Sequence, residues 1–130
     1  MINAWENFHH ATLELVRAAP IKQRLICAYR RHLAEVREEQ LPGEIREPFC
    51  QVVRSLCGVR PLRGEDAVAA SVRKMSNQDA DECAALIVEM FGLMCRAQSM
   101  ALRAAHPAVK LHGVDDDAAA FAAPVFNTNH

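Results

Sequence analysis

The sequence predicts an all-α protein, a compact bundle of about five helices in 130 residues. Apolar residues recur at intervals near 3.6 residues, and no segment alternates with the period of two that a half-buried strand requires. Glycines number only five while alanine is abundant, and β-branched alternation is nearly absent, which disfavours sheet. We expect one bundle domain over residues 1–105. The acidic run and the alanines of residues 106–130 predict a flexible or loosely docked tail.

A capping signal and a proline predict the first two helices. Asn3, followed three residues later by Glu6, forms a capping box that opens a helix extending to about Ala18. Its apolar face comprises Trp5, Phe8, Thr12 and Leu15. A second helix is predicted to begin at Pro20, since proline suits the first turn, and to end at Gln40. Its apolar stripe comprises Leu25, Tyr29, Leu33 and Val36.

Two shorter helices are predicted in the middle of the chain. The third is expected to begin near Pro48 and to end at Gly58, a typical C-terminal stop. The fourth follows Glu65 and Asp66, whose negative charge favours the positive end of a helix. The inward residues of these helices are Phe49, Val52, Val53 and Leu56 in the third, and Val68, Val72 and Met75 in the fourth.

The last and longest helix is predicted over residues 77–105, beginning after Ser76, whose partner three residues later is Asp79. A heptad seam follows one side: Cys83, Ile87, Met90, Met94, Ala97 and Ala101. Further apolar lines flank the seam, and Ala85, Gly92 and Ser99 form a line of small residues. Charge is confined to a single line of exposed positions: Glu82, Glu89, Arg96 and Arg103. A helix that is apolar around most of its circumference must be covered on several sides.

This helix predicts a homodimer, because a second copy would cover the apolar surface that four other helices leave free. The residues we expect at the interaction surface are Ile87, Met90 and Met94, since methionine makes such a surface adaptable. The sequence leaves open whether this apolar face is a dimer interface, a ligand pocket or the core of the monomer.

The connector from Arg60 to Asp66 has two interpretations. In the first, Arg60 and Arg63 pair with the acids that follow them and lock the loop, a contact worth at most about 1 kcal/mol per exposed pair. In the second, the two arginines anchor a protein partner, a role in which arginine is enriched. We favour the structural interpretation and keep both arginines as candidate interaction residues.

No spacing of residues indicates a catalytic or metal site, so no catalytic residue, metal ligand or cofactor is predicted. Glu6 and His9 have the spacing of half a di-iron site, but the other half is missing. Cys50 and Cys57 would lie about 10.5 Å apart along a helix, too far to bind one zinc ion together. The glycine-rich phosphate loops and nucleophile motifs of common enzymes do not occur. An enzyme is therefore disfavoured.

Charge and cysteine content point to a cytoplasmic protein with protein partners. The net charge of −1 provides no basic field for nucleic acid, so nucleic-acid binding is disfavoured. Five cysteines are an odd number without a C-x-x-C pair, which suits a reducing compartment. The first residues lack the pattern of a signal peptide. The most apolar segment carries Glu89 and Arg96, so we expect no membrane span.

The function that these features predict is a non-catalytic cytoplasmic adaptor or regulatory protein. It would act through helical protein–protein interfaces, with a second copy of the chain and an unknown protein as partners. The alternative is a bundle that binds a small apolar ligand or cofactor between its helices, near Met90, Met94, Trp5 and Phe8.

Overall fold

The structure, a computed structural model, describes residues 3–105 and forms five α-helices and no strand within them. One turn of π-helix (Tyr29–Leu33) continues the second helix, and a 3-10 turn (Glu38–Gln40) precedes the third. The all-α class and the long, apolar last helix are confirmed, whereas the predicted tail at 106–130 lies outside the described residues. The helices are α1 (Ala4–Leu15), α2 (Ile21–Ala28), α3 (Gly43–Cys57), α4 (Ala67–Lys74) and α5 (Asn77–Ala105).

The contacts of the chain divide it into two units, Met1–Cys95 and Arg96–His130. The first unit contains the hydrophobic core, to which all five helices contribute. Of the second unit, the structure describes residues 96–105, the last turns of α5, which are exposed apart from half-buried Ala97. The division falls inside α5, before the predicted domain end at residue 105.

Three helix starts follow from the capping residues seen in the sequence. The Asn3 side chain accepts a hydrogen bond from the Glu6 backbone N–H at 2.9 Å, and the Glu6 carboxylate accepts one from the Asn3 N–H. Asp66 caps α4 in the same way, through the N–H of Ala69. Ser76 caps α5 through the N–H of Asp79 at 2.9 Å. Each cap satisfies backbone donors that the first turn of a helix leaves free.

The predicted second helix is wrong in its length, because it ends in the π-turn rather than at Gln40. The Ala34 N–H donates to the Tyr29 carbonyl at 2.9 Å, a bond that spans five residues. If the α-helix continued regularly at 100° per residue, Leu33 would point away from the side of the helix that carries Leu25 and Ala28. The wider turn keeps Leu33 in the core, where only 1% of it is exposed.

The predicted start of the third helix near Pro48 is also wrong, since α3 begins at Gly43 and contains Pro48. Proline inside a helix removes one backbone hydrogen bond and normally costs about 3 kcal/mol. Burial offsets that cost: Ile45 is fully buried one turn before Phe49, and Leu41 is 3% exposed. The Arg46 guanidinium also donates to the Leu41 carbonyl at 3.0 Å and holds the first turn.

The core of the first unit lies where α1, α3 and α5 meet. Phe8 and Phe49 pack edge to face with a centroid distance of 5.8 Å, a favoured arrangement for aromatic pairs. Ile87 and Met90 face them from α5 in the same cluster. Side chains with less than 2% exposure fill this space: Phe8, Leu25, Leu33, Ile45, Val52, Leu56, Val72, Ile87 and Met90.

Candidate interaction face on the last helix

The three α5 residues predicted at the interaction surface lie inside the core of the chain. Ile87 has no exposed surface, Met90 exposes 1% and Met94 exposes 5%. They belong to one hydrophobic cluster with residues of α1, α2 and α3. Of the three roles that the sequence left open, burial assigns these side chains to the monomer core, because a covered side chain has no surface left for a partner.

Another apolar face of α5 remains exposed. On it Leu86 keeps 41% of its surface accessible and Met100 keeps 69%, whereas exposed Val88 and Leu102 lie on another side of the helix. Half-buried Leu93 lies midway between Leu86 and Met100 at heptad spacing. These three residues, Leu86, Leu93 and Met100, are named the leucine strip. Seven-residue spacing keeps the strip on one side of the helix.

Two small residues lie about 100° around α5 from the leucine strip, each one position before a leucine of the strip. Ala85 is exposed, and a Cβ atom placed on Gly92 would meet no heavy atom within 4 Å. The packing of the chain itself therefore does not require glycine at position 92. A small residue on an exposed helix face permits close approach by another backbone.

Four charged residues run beside the leucine strip and define the charged line: Glu82, Glu89, Arg96 and Arg103. All four are exposed, and none forms an ion pair with another residue of the described part of the chain. The Gln78 amide donates to the Glu82 carboxylate at 3.3 Å within the same helix. The charged line thus has the capacity to pair with groups outside the chain.

By length and composition, α5 also meets the requirement for crossing a membrane, with a mean hydropathy of 1.3 over its most apolar window. Buried helices of soluble proteins meet the same requirement. Insertion would remove Ile87, Met90 and Met94 from the core of the first unit, where they are 0–5% exposed. Only 17% of that apolar window is buried in the bundle.

The connector between α3 and α4 is held by two ion pairs from elsewhere in the chain. Arg73 of α4 binds the Glu65 carboxylate at 2.9 Å, and Arg30 of the π-turn binds the Asp66 carboxylate at 2.9 Å. The bond from Arg73 and that from the Leu62 N–H hold the pKa of Glu65 below its usual value. The hydrogen bonds from Arg30 and from the Ala69 N–H likewise hold the pKa of Asp66 below its usual value.

Arg60 and Arg63 do not form the predicted clasp with these acids. Both are exposed, and within residues 3–105 neither takes part in an ion pair. The clasp fails because arginines from the π-turn and from α4 occupy both carboxylates. The second interpretation, a loop that anchors a partner, stays a prediction.

A buried carboxylate at the end of α1 was not foreseen from the sequence. Glu14 has a side chain that is 8% exposed and lies 3.2 Å from Arg17, 3.1 Å from Arg31 and 3.2 Å from the His32 ring. The His32 carbonyl accepts a hydrogen bond from the Asn7 amide at 2.6 Å. The π-turn, which carries both Arg31 and His32, thus joins α1 to α2.

The environment of Glu14 keeps it ionised. Burial raises the pKa of this carboxyl, but hydrogen bonds from His32 and Arg31 and the positive charge of Arg17 outweigh burial and lower the pKa below its usual value. A carboxylate that binds two arginines and a histidine and has a lowered pKa is a poor proton acceptor at neutral pH. Such a cluster is suited to stabilising the packing of helices and not to proton transfer.

The place predicted for an apolar ligand is filled by the core. Phe8, Met90 and Met94 are at most 5% exposed. Trp5 is half-buried beside them; it packs against Phe91 at a centroid distance of 5.9 Å and lies 3.3 Å from the Cys95 sulfur. A cavity of about 470 Å³ lies elsewhere, between α3, α4 and the start of α5, lined in part by Ser55, Ser71, Lys74, Met75, Asp79 and Glu82.

The histidines of α1 stack on aromatic rings. His9 lies flat against Phe91 at a centroid distance of 5.5 Å and against His10 at 5.6 Å. In the described part of the chain, no group of three or more histidine, cysteine, aspartate or glutamate side chains is placed to hold a metal ion. The Glu6 carboxylate, at the spacing of half a di-iron site from His9, caps the helix instead.

Comparison of the chain with protein-family models, with curated proteins and with solved structures finds no match. The geometry of the molecule is therefore the basis for its proposed function. Its most distinctive surface feature is the exposed side of α5, which joins the leucine strip, a small residue with open space around it, and the charged line.

Proposed function

We propose that the chain is a non-catalytic cytoplasmic adaptor or regulatory protein that forms a homodimer and acts through a helical protein–protein interface. The observation that carries this proposal is the exposed apolar face of α5. On this face Leu86 and Met100 keep 41% and 69% of their surface accessible, with half-buried Leu93 between them. Large exposed apolar patches on soluble proteins usually mark interaction sites.

A second copy of the chain is the partner that this face fits most simply. Symmetric homo-oligomers are the commonest assemblies of soluble proteins, and a two-fold interface needs one surface that complements itself. The leucine strip supplies apolar contact, and Met100 adapts its shape to a partner. Each side chain that the dimer buries stabilises the dimer by up to about 25 cal/mol for every Å² of apolar surface removed from water.

An additional protein partner would use other exposed anchors. Arg60 and Arg63 extend from the connector and have no carboxylate partner in residues 3–105. Arginine is enriched among residues that dominate binding energy at interfaces. The connector itself is held in place by the Glu65–Arg73 and Asp66–Arg30 pairs, so these arginines are presented on an anchored loop.

The chemistry of the buried polar groups supports a role without catalysis. Glu14 is saturated by Arg31, Arg17 and His32, and its pKa is lowered. General acid–base catalysis instead favours a group with a pKa near the working pH. The Glu14 cluster therefore stabilises the fold, and the proposed function depends on the exposed surface.

The cysteines support the cytoplasmic part of the proposal. All five thiols are free. Cys83 is buried in the core, and the other four are half-buried. Secreted proteins of this size commonly use their cysteines in disulfides, whereas a reducing compartment keeps thiols free.

Substitutions on α5 test the proposal. We expect Leu86→Asp to convert a dimer into a monomer, because a charge placed in an apolar interface must give up its hydration. The matched control is Leu13→Asp on α1, since Leu13 is exposed to a similar degree, 47% against 41%. The measurement is the mass of each full chain by sedimentation over a range of micromolar concentrations.

The two variants separate the possible outcomes. A dimer that is lost with Leu86→Asp and kept with Leu13→Asp supports the α5 face as the interface. A dimer that survives Leu86→Asp contradicts this placement. Circular dichroism of both variants shows whether each retains the helical fold.

A further inference from the structure

We infer that two copies of α5 pair antiparallel, so that the charged line of one copy lies along the same line of the other. This inference rests on the proposed homodimer and adds its geometry. The acids Glu82 and Glu89 occupy the first half of the line, and the arginines Arg96 and Arg103 occupy the second half. Reversing the direction of a second copy therefore places acids opposite arginines.

The register of this pairing follows from the spacing. With a two-fold axis between Gly92 and Leu93, Glu89 lies opposite the partner's Arg96 and Glu82 lies opposite the partner's Arg103. The two-fold axis repeats both pairs, which gives four ion pairs from one line of side chains. Charged positions beside an apolar seam are known to set the orientation of paired helices.

A parallel pairing lacks this complementarity. Parallel helices bring equal positions to the same level, so Glu89 would lie level with Glu89 of the partner subunit, and Arg96 would lie level with Arg96 of the partner subunit. Like charges at close range are destabilising. All four side chains are exposed and unpaired within the described part of the chain, so the energy of pairing remains available for the partner.

The apolar residues suit the same register. Leu86 comes level with the partner's Ser99, one residue from the partner's Met100, and Leu93 comes close to the two-fold axis, so the leucine strips of the two copies meet along their length. The charged line and the leucine strip therefore agree on one arrangement.

Charge reversal tests the orientation in the full chain. Glu89→Arg and Arg96→Glu each replace two attractive pairs per dimer with two repulsive pairs. We expect each single variant to weaken the homodimer about tenfold. A mixture of the two variants restores opposite charges at both pairs, so heterodimers should exceed the statistical share. The matched control is Glu44→Arg on α3, an exposed acid without an ion pair in residues 3–105.

The outcomes distinguish the orientation from the dimer itself. Weak homodimers that recover on mixing, with Glu44→Arg unaffected, support the antiparallel pairing. A wild-type dimer whose reversed variants show no preference for heterodimers overturns the orientation and leaves the proposed function standing. Reversed variants that form homodimers as strong as the wild-type dimer overturn it as well, because in a parallel pair each reversal leaves like charges opposite each other. A wild-type chain that stays monomeric overturns the proposed homodimer and the orientation with it. Native mass spectrometry resolves hetero- from homodimers once one variant is labelled with ¹⁵N.

Discussion

Ile87 and Leu86 are neighbours in α5, yet Ile87 is completely buried and Leu86 exposes 41% of its surface. Adjacent residues of a helix point about 100° apart, so one helix presents two separate apolar faces. The face of Ile87 completes the core of the first unit. On the face of Leu86, Leu93 packs in part against the core while Leu86 and Met100 stay exposed, and this face carries the proposed function.

Alanine substitutions at these two positions should have very different effects on stability. We expect Ile87→Ala to lower the free energy of unfolding by about 2–5 kcal/mol, because it removes buried methyl groups and leaves a cavity. Leu86→Ala should cost about 1 kcal/mol or less under conditions in which the chain is monomeric. Urea unfolding at low protein concentration measures both values. Equal losses for the two variants would contradict the division into a core face and an exposed face.

The Glu14 cluster predicts how stability depends on pH. The pKa of Glu14 is lower in the folded chain than its ordinary value of 4.5. Its contribution is therefore present above the ordinary pKa and is lost as the pH falls through the lowered, folded pKa. We expect Glu14→Gln to destabilise the chain by about 1–3 kcal/mol at neutral pH.

That difference should shrink as the solution becomes acidic, because wild-type Glu14 is then protonated as well. Urea unfolding of both proteins from neutral to acidic pH measures the trend. Glu44→Gln is the matched control, since this acid is exposed on α3 and makes no ion pair in the described part of the chain. If Glu14→Gln lowers the free energy of unfolding by the same amount at every pH, the result would contradict a stabilising role for ionised Glu14.

Thiol reactivity should distinguish Cys83 from the other cysteines. Burial raises the pKa of the Cys83 thiol to about 11, so roughly one molecule in a thousand carries the reactive thiolate at pH 8. We expect iodoacetamide to modify half-buried Cys27 well before Cys83 in the folded chain, as followed by peptide mass spectrometry. Similar rates in urea would confirm that folding causes the difference, whereas rapid labelling of Cys83 in the folded chain would contradict its burial.

Removal of the two unpaired arginines should leave the fold intact. We expect the double variant Arg60→Ala and Arg63→Ala to change the free energy of unfolding by less than about 0.5 kcal/mol, as is usual for exposed residues without specific contacts. Arg73→Ala, which breaks the bond to Glu65, should cost more. Thermal unfolding of both variants compares them. A larger loss in the double variant would show a structural role for these arginines.

Much of the fold was predictable because its signals are local. Asn3, Asp66 and Ser76 each accept a backbone hydrogen bond from a residue three positions later, and the side chains that do so are recognisable in a sequence. The apolar seam of α5 that contains Ile87 and Met90 was also predictable from heptad spacing. What spacing did not determine was whether that face serves the monomer or a partner, since both use the same residues.

Features that depend on distant contacts escaped prediction. Glu14 meets Arg31 and His32 from 17 and 18 positions away, and nothing near Glu14 in the sequence indicates them. The only sequence signal for the early start of α3 was Ile45, which lies one turn before Phe49. Pro48 between them indicated a later helix start instead. The π-turn has only a weak signal in the sequence. Leu25 and Leu33 are eight residues apart, and in an α-helix each four-residue step rotates the side chain by about 40° away from the starting face.

The mass of the full chain in solution tests the central claim most directly. If the exposed face of α5 joins two copies, sedimentation of the wild-type chain gives twice the chain mass at high micromolar concentration and a concentration-dependent fall towards the monomer on dilution. A single chain mass across the whole range would contradict the claim, because the leucine strip would then remain exposed with no second copy to cover it.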